Sequence, residues 1–266
     1  MLARLAALVL VIVAAAAPAR GETARAILDR RKALDDGSRH WDDRHQKMKL
    51  TIFDKRGGER VRDLDIYDRR EPGDEQKTIL FFLSPPEVKG TGLLAFTHKG
   101  RPADQWLYLP ALQRIRQITT QTRNESFMGT DLSYHDLDLV QEMTSWTESD
   151  ARSNLRGEEP VDGTPCHAIE LAPQRSDIGY AKIVLWLGRD DLVPRRLELW
   201  EDGAEPKKRI VQSDVRAVGP IPVPYHVEVS TPSAGSRTVI DIRDVGFNGK
   251  LDPDLFSQRT LERGAP

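Results

Sequence analysis

The stretch QKMKLTIFDKRGGERVRDLDIYDRREPGDEQKTILFFL, residues 46–83, decides the fold class. Its apolar residues recur with a period of two, and Lys55-Arg56-Gly57-Gly58 and Glu71-Pro72-Gly73-Asp74 interrupt it with turn-forming residues. In an extended chain successive side chains point to opposite faces, so 46–53, 59–67 and 76–83 read as antiparallel strands joined by hairpins. The middle strand puts Val61, Asp63, Asp65 and Tyr67 on one face and Arg62, Leu64 and Ile66 on the other, which makes one side wet.

The same rhythm continues through 92–98, 104–110, 113–118, 166–172, 181–188, 195–201, 207–218, 224–231 and 237–247. About a dozen strands with short loops predict an α+β, mainly β, chain built on one strongly curved antiparallel sheet. Pro220, Pro222 and Pro224 mark an edge or a connection, because proline cannot donate to a ladder. One helix is expected over 23–34, capped by Thr23, with shorter helical pieces near 131–139 and 252–258. Ile79–Leu83 and Ile183–Leu187 do not alternate, and a strand that is apolar on both faces needs cover on both. So few helices leave two readings open: a cavity that holds an apolar ligand, or a closed core.

At the N-terminus Arg4 precedes an uncharged apolar run, Leu5–Ala17, followed by the small-residue pattern Ala17-Pro18-Ala19. This predicts a cleaved signal peptide over 1–21, and an exported single domain over 22–266. The run is shorter than the roughly 20 residues a membrane span needs. The only cysteine, Cys166, lies deep in the chain, so neither lipid attachment at the new N-terminus nor an intrachain disulfide is expected. With 39 basic against 41 acidic side chains, the protein is not built to neutralise nucleic-acid phosphates.

Residues 126–139, SFMGTDLSYHDLDL, crowd Ser133, His135 and Asp136 together like the parts of a hydrolytic triad. Triad groups must converge in space, whereas neighbours in a strand face opposite ways and neighbours in a helix diverge by about 100°. No Gly-x-Ser-x-Gly elbow is present, so hydrogen bonding is the expected role; if the segment is a short helix, Thr130 or Asp131 is its expected cap. The six histidines form no His-x-x-x-His pattern, and neither metal nor cofactor is expected. Cys166, beside His167 at the start of an apolar strand, reads as a packing residue, and Gly90-Thr91-Gly92 reads as a turn rather than a phosphate loop.

More informative is Trp106-Leu107-Tyr108-Leu109-Pro110-Ala111-Leu112, then Arg114 and Arg116, then Ser126-Phe127-Met128-Gly129-Thr130-Asp131-Leu132-Ser133-Tyr134 and Asp136. This run resembles the bacterial outer-membrane lipoprotein-sorting proteins of the LolA-like superfamily, and the likeness extends over nearly all of the chain beyond residue 21. The resemblance implies a half-open antiparallel β-barrel with covering helices, whose apolar concave side accepts acyl chains of a lipoprotein or lipid in the periplasm, with transient membrane contact. The fold it implies also serves sensors and at least one enzyme, and here no enzyme activity is expected; it brings in an inner-membrane transporter of the resistance-nodulation-division (RND) type as a partner. A carrier shuttling lipid between membranes is the function it points to, and a periplasmic lipid-sensing module working with such a transporter is the alternative. The residues expected to line cavity and lid are Phe81, Trp106, Tyr108, Phe127, Met128, Tyr134 and Trp186, with Asp131 fixing the lid segment.

Overall fold

The computed structural model describes residues 22–265, so the expected signal peptide lies outside the described residues. The hairpins forecast over 46–83 are present as β1 (Asp43–Phe53), β2 (Glu59–Glu71) and β3 (Glu75–Ser84). They continue as β4 (Gly92–His98), β5 (Arg101–Leu109) and β6 (Arg114–Ile118). After a long connection come β7 (Ala151–Val161), β8 (Thr164–Pro173), β9 (Lys182–Gly188) and β10 (Pro194–Trp200). The last three are β11 (Lys208–Val218), β12 (Ile221–Thr231) and β13 (Ser236–Phe247). All join one antiparallel sheet in the order β6-β5-β4-β3-β2-β1-β13-β12-β11-β10-β9-β8-β7. The sheet stays open: the half-open barrel expected from the sequence is a curved sheet whose edge strands are β6 and β7.

This order consists of two meanders that start at the middle and at one edge. The chain runs from β1 outward to β6, then reappears at the opposite edge as β7 and works inward until β13 pairs with β1. Residues 119–150 must therefore pass from one edge of the sheet to the other. Laid flat, edges twelve strand spacings apart would be separated by about 55–60 Å. Curvature shortens that path, and the segment takes it across the concave face, carrying α2 (Tyr134–Glu142).

The other helices cover the rest. α1 (Ala24–Asp36) is capped by Thr23, whose hydroxyl accepts from the Ala26 N–H at 3.2 Å, and it buries Ala24 and Ile27 in the inner core of β7–β11. α3 (Gln258–Arg263) follows a 3-10 turn at Pro253–Leu255 and lies on the opposite, outer face of β3–β6. There Phe256 and Leu261 pack on Tyr67, Ile79, Phe81 and Leu94. A β-carbon on Gly92 would stand 2.7 Å from Leu261 Cδ1 and 3.1 Å from Phe81 Cδ1, so glycine at the start of β4 is what lets α3 approach.

Three local expectations change. β7 does not read as a strand because ARSNLRGEEPV carries few apolar residues; it is an edge strand whose side chains alternate between exposed and half-buried, with Gly157 at a bulge and Pro160 near its end. The prolines do sit at an edge, but a local one. Pro222 and Pro224 pair with β11, while β12 meets β13 only from His226 onward, so their missing N–H groups face no partner strand. The helix near 131–139 begins at Tyr134 and is capped by Ser133, not Thr130 or Asp131. Ser133 Oγ accepts from the Asp136 N–H at 3.1 Å and Asp136 Oδ2 accepts from the Ser133 N–H at 2.7 Å, a reciprocal capping box. Among the described residues no helix is long and apolar enough to cross a membrane.

Candidate functional site

The segment that crosses the concave face is fastened by polar contacts as well as by its buried Phe127, Tyr134, Leu139 and Trp146. Asp131 is buried, and its carboxylate accepts from the hydroxyls of Thr231 (2.8 Å), Ser236 (2.6 Å) and Thr238 (2.8 Å) on the β12–β13 hairpin. The Asp131 N–H donates back to Thr238 Oγ1 at 2.9 Å. At the tip, Met128 adopts a left-handed conformation with φ +51°, and its carbonyl accepts from Arg62 Nη1 at 2.5 Å. That conformation costs an ordinary side chain about 1–2 kcal/mol, so the tip keeps its shape only through such tethers.

Helix α2 is unusual in burying His135, Asp136, Asp138 and Glu142. Asp136 accepts from Ser133 Oγ at 2.7 Å, from Tyr180 OH at 2.6 Å and from the Lys208 ammonium. Burial alone would raise its carboxyl, but Lys208 and these donors hold it below the usual carboxylate range. Burial, then the adjacent Asp136 charge, pushes the Tyr180 hydroxyl far up, so it remains a donor. His135 Nε2 lies 2.7 Å from the Ile178 carbonyl, and its Nδ1 meets Arg123. Burial, with the Arg123 charge, lowers its pKa, and the neutral ring donates at Nε2 and accepts at Nδ1. Asp138 accepts from the Ala103 N–H at 2.9 Å, and burial together with the like charge of Glu142 pushes its carboxyl up to about 6. Glu142 accepts from Arg175 at 2.5 Å and from the Gly100 N–H at 3.2 Å. The Ser133, His135 and Asp136 side chains thus form no relay: Ser133 bonds to Asp136, while His135 turns to Arg123 and Ile178. Among the described residues no group of His, Cys, Asp and Glu could hold a metal ion.

Beneath this segment lie two apolar cores on the concave face. One joins α1 to the inner side of β8–β12 through Ile169, Leu185, Leu199 and Val229. The other joins Phe127 and Tyr134 to Leu50, Leu64, Leu80, Phe82, Leu93 and Leu107. Ile240 touches both, and along this seam the apolar residues are only half-buried: Ile66 on β2, Met48 on β1, Ile240 on β13 and Val227 on β12. Those four strands are consecutive neighbours in the sheet. From the crossing segment, half-buried Met128, Leu132 and Leu137 face the same two cores. Apolar surface that is neither fully packed nor free is where a chain of methylenes can be inserted at least cost in existing contacts. By contrast, of two open surface depressions, one of about 410 Å³ is lined largely by polar residues such as Arg216, His226 and Asp241, and one of about 350 Å³ by Gly179, Ala181, Glu201 and Asp202.

The structure brings together only some of the residues singled out from the sequence. Phe127 lies 5.7 Å from Phe82 and 5.6 Å from Tyr134 between ring centroids, and with Met128 these residues cap one end of the seam. Phe81, Trp106 and Tyr108 are on the other side of the sheet, under α3. Trp186 belongs to a third cluster with Val161, Cys166, Ala168 and Val184, and Arg196 lies 3.7 Å over its ring. β3 and β9 need cover on both faces; α3 supplies it for Phe81, and long charged side chains supply it for Trp186. The seam residues Met48, Ile66, Val227 and Ile240 were missed because each is one apolar position among many, and only pairing shows them side by side. The available signal was the parity of Leu64 and Ile66, opposite a face expected to be wet that is exposed only at Val61 and Asp63, since Asp65 and Tyr67 are buried on the α3 side.

The architecture is an open antiparallel sheet with residues 119–150 crossing one apolar face, and the comparisons give the family. Residues 74–263 match a family model described as an uncharacterized protein, and the chain belongs to that family. It has the LolA-like fold. A domain assigned as an outer-membrane lipoprotein-sorting protein from Vibrio parahaemolyticus is 26% identical, with a TM-score of 0.80 over 89% of this chain and 97% of that one. A DUF1329 family protein from Desulfovibrio piger is 25% identical, with a TM-score of 0.81 over 90% of this chain and 98% of that one. A LolA superfamily protein from Nitrosomonas europaea shares the fold at 16% identity, with a TM-score of 0.66 over 90% of this chain and all of that one. No curated protein matches this chain by sequence.

Proposed function

We propose that this protein is a periplasmic carrier that takes up acyl chains of a lipid or lipoprotein along the concave seam and carries them between membranes. The observation that carries the reading is the row of half-buried apolar side chains on β2, β1, β13 and β12 beneath a segment tethered to the sheet by hydrogen bonds and ion pairs. Each methylene moved from water to that seam gains about 0.8 kcal/mol. Lifting the lid exchanges protein hydrogen bonds for water, at a net cost of about 0.5–1.5 kcal/mol for an ordinary one and more for those to charged groups. Lifting the tip also bares Phe127 and Tyr134, at about 1.5–3 kcal/mol each, so an acyl chain of about ten or more methylenes is needed to replace both kinds of contact. Entry and release then follow from lid docking, with Phe127, Met128 and Tyr134 at the moving tip, and no covalent chemistry is needed.

The test is native mass spectrometry of protein purified under mild conditions, followed by extraction of whatever is bound. A discrete acylated species near one per chain is expected. Met128→Glu should reduce uptake of added lipid while leaving the melting temperature close to wild type. An apo mass with no uptake of phospholipid or acylated peptide would overturn the proposal.

A further inference from the structure

The mouth of the seam holds an arginine with no counter-ion among the described residues. Arg62 projects from the same face of β2 as Leu64 and Ile66, is 8% exposed, and lies over the Phe82 ring with its guanidinium carbon 5.5 Å from the centroid. Its hydrogen-bond partner is a neutral carbonyl, that of Met128. Among the described residues no carboxylate stands within ion-pair distance of it, and the charge it feels most is a like one, Arg60, two residues earlier on the same face. Arg60 is exposed at the lid tip: its terminal nitrogens lie 3.6 and 3.7 Å from where a β-carbon on Gly129 would stand. The carboxylate that senses Arg60, Asp54, is engaged by the Arg56 and Gly58 N–H groups of its own turn.

A buried cation without an anion is costly, by several kcal/mol where desolvation is complete, and such a group is normally paired. Among the described residues the Arg62 guanidinium makes one hydrogen bond, through Nη1, which leaves its other N–H donors for an incoming oxyanion once the tip shifts. Two guanidinium forks on one strand face suit a phosphate, whose several oxygens accept from both. We infer that Arg62 and Arg60 form a receptor for the phosphate headgroup of an acidic lipid whose acyl chain lies in the adjacent seam. This rests on the carrier reading and narrows its cargo to lipids with an anionic head. It also links loading to opening: a phosphate that engages Arg62 competes with the Met128 carbonyl for the same donor, so the arriving headgroup loosens the tip that closes the seam.

The experiment compares oleoyl lysophosphatidate with monooleoylglycerol, two lipids with the same acyl chain, each below its micelle concentration, by equilibrium binding to the folded protein. Lysophosphatidate is expected to bind about tenfold more tightly or better, as charge-assisted bonds to the headgroup imply. That preference should shrink in Arg60→Glu, an exposed position that does not threaten folding, and in Arg62→Met. Inorganic phosphate at millimolar concentration should compete with lysophosphatidate and not with monooleoylglycerol, which separates a headgroup held with its chain from free phosphate. Equal affinity for the two lipids would overturn the headgroup site and leave the seam standing. A preference that survives both substitutions would overturn its placement at Arg60 and Arg62. Binding of neither lipid would overturn the carrier reading and this inference together.

Discussion

Asp138 should make lid docking depend on pH in the direction opposite to an ordinary paired carboxylate. Its carboxyl stands near 6 in the folded chain against a reference of 3.8, because it is buried and lies beside Glu142. A raised carboxyl means that the docked helix binds the proton more tightly than the undocked one. Docking is therefore strongest below the reference value, weakens as pH rises from about 4 to about 6, and is level above that. The shift of about two pH units corresponds to about 3 kcal/mol of docking free energy missing at neutral pH. Asp138→Asn keeps an oxygen for the Ala103 N–H and removes the charge, so at pH 7.5 it should recover most of that amount. Hydrogen exchange of peptides covering 123–145, corrected for intrinsic rates, reads this directly. In the wild type, protection of α2 should fall between pH 4 and pH 6, and in the variant it should stay high and flat, with exchange at pH 7.5 slowed by about a hundredfold if opening is local. Wild-type-like exchange in the Asn variant at pH 7.5, or wild-type protection independent of pH, would refute the reasoning. Asp136 works the other way, since its lowered carboxyl contributes docking strength that disappears under acid as Lys208 loses its partner.

Three further outcomes are expected. Asp131→Ala deprives the hydroxyls of Thr231, Ser236 and Thr238 of their shared acceptor; it should cost about 2–4 kcal/mol in chemical denaturation and speed lipid exchange. Ile240→Glu places a charge where the two concave cores meet and should abolish lipid uptake while lowering stability by about 1–3 kcal/mol, measured by thermal melting alongside a lipid-binding assay. Trp186→Phe and Trp106→Phe, on the outer face, should leave lipid uptake at the wild-type level; a marked loss in either would refute the assignment of faces.

Alternation and turn residues were enough to place nearly every strand, because a half-buried strand writes its two faces into its own sequence: β2 shows this from Val61 to Tyr67. β7 escaped for the complementary reason, since an edge strand need bury little and so writes little. Thr23 announced the start of α1, and the polar role of Ser133 and Asp136 could be read from the improbability of a triad among sequence neighbours. Which aromatic residues share a surface could not be read. Phe81 and Trp186 lie in runs that are apolar on both faces, and Trp106 and Tyr108 share a parity that local sequence does not orient. Orientation is a property of the whole sheet: it depends on which way the sheet curves and on where α3 and the crossing segment lie. The crossing segment has the same origin. Nothing between residues 119 and 150 says that it must span the molecule, but β6 and β7 are opposite edges, and the chain between them has to cross. Sequence alone thus determined every strand but β7, their turns and the first helix, because these depend on neighbours along the chain. Only the tertiary structure decided the seam, the surroundings of Arg62 and the path of the crossing segment, because each depends on which distant strands lie side by side.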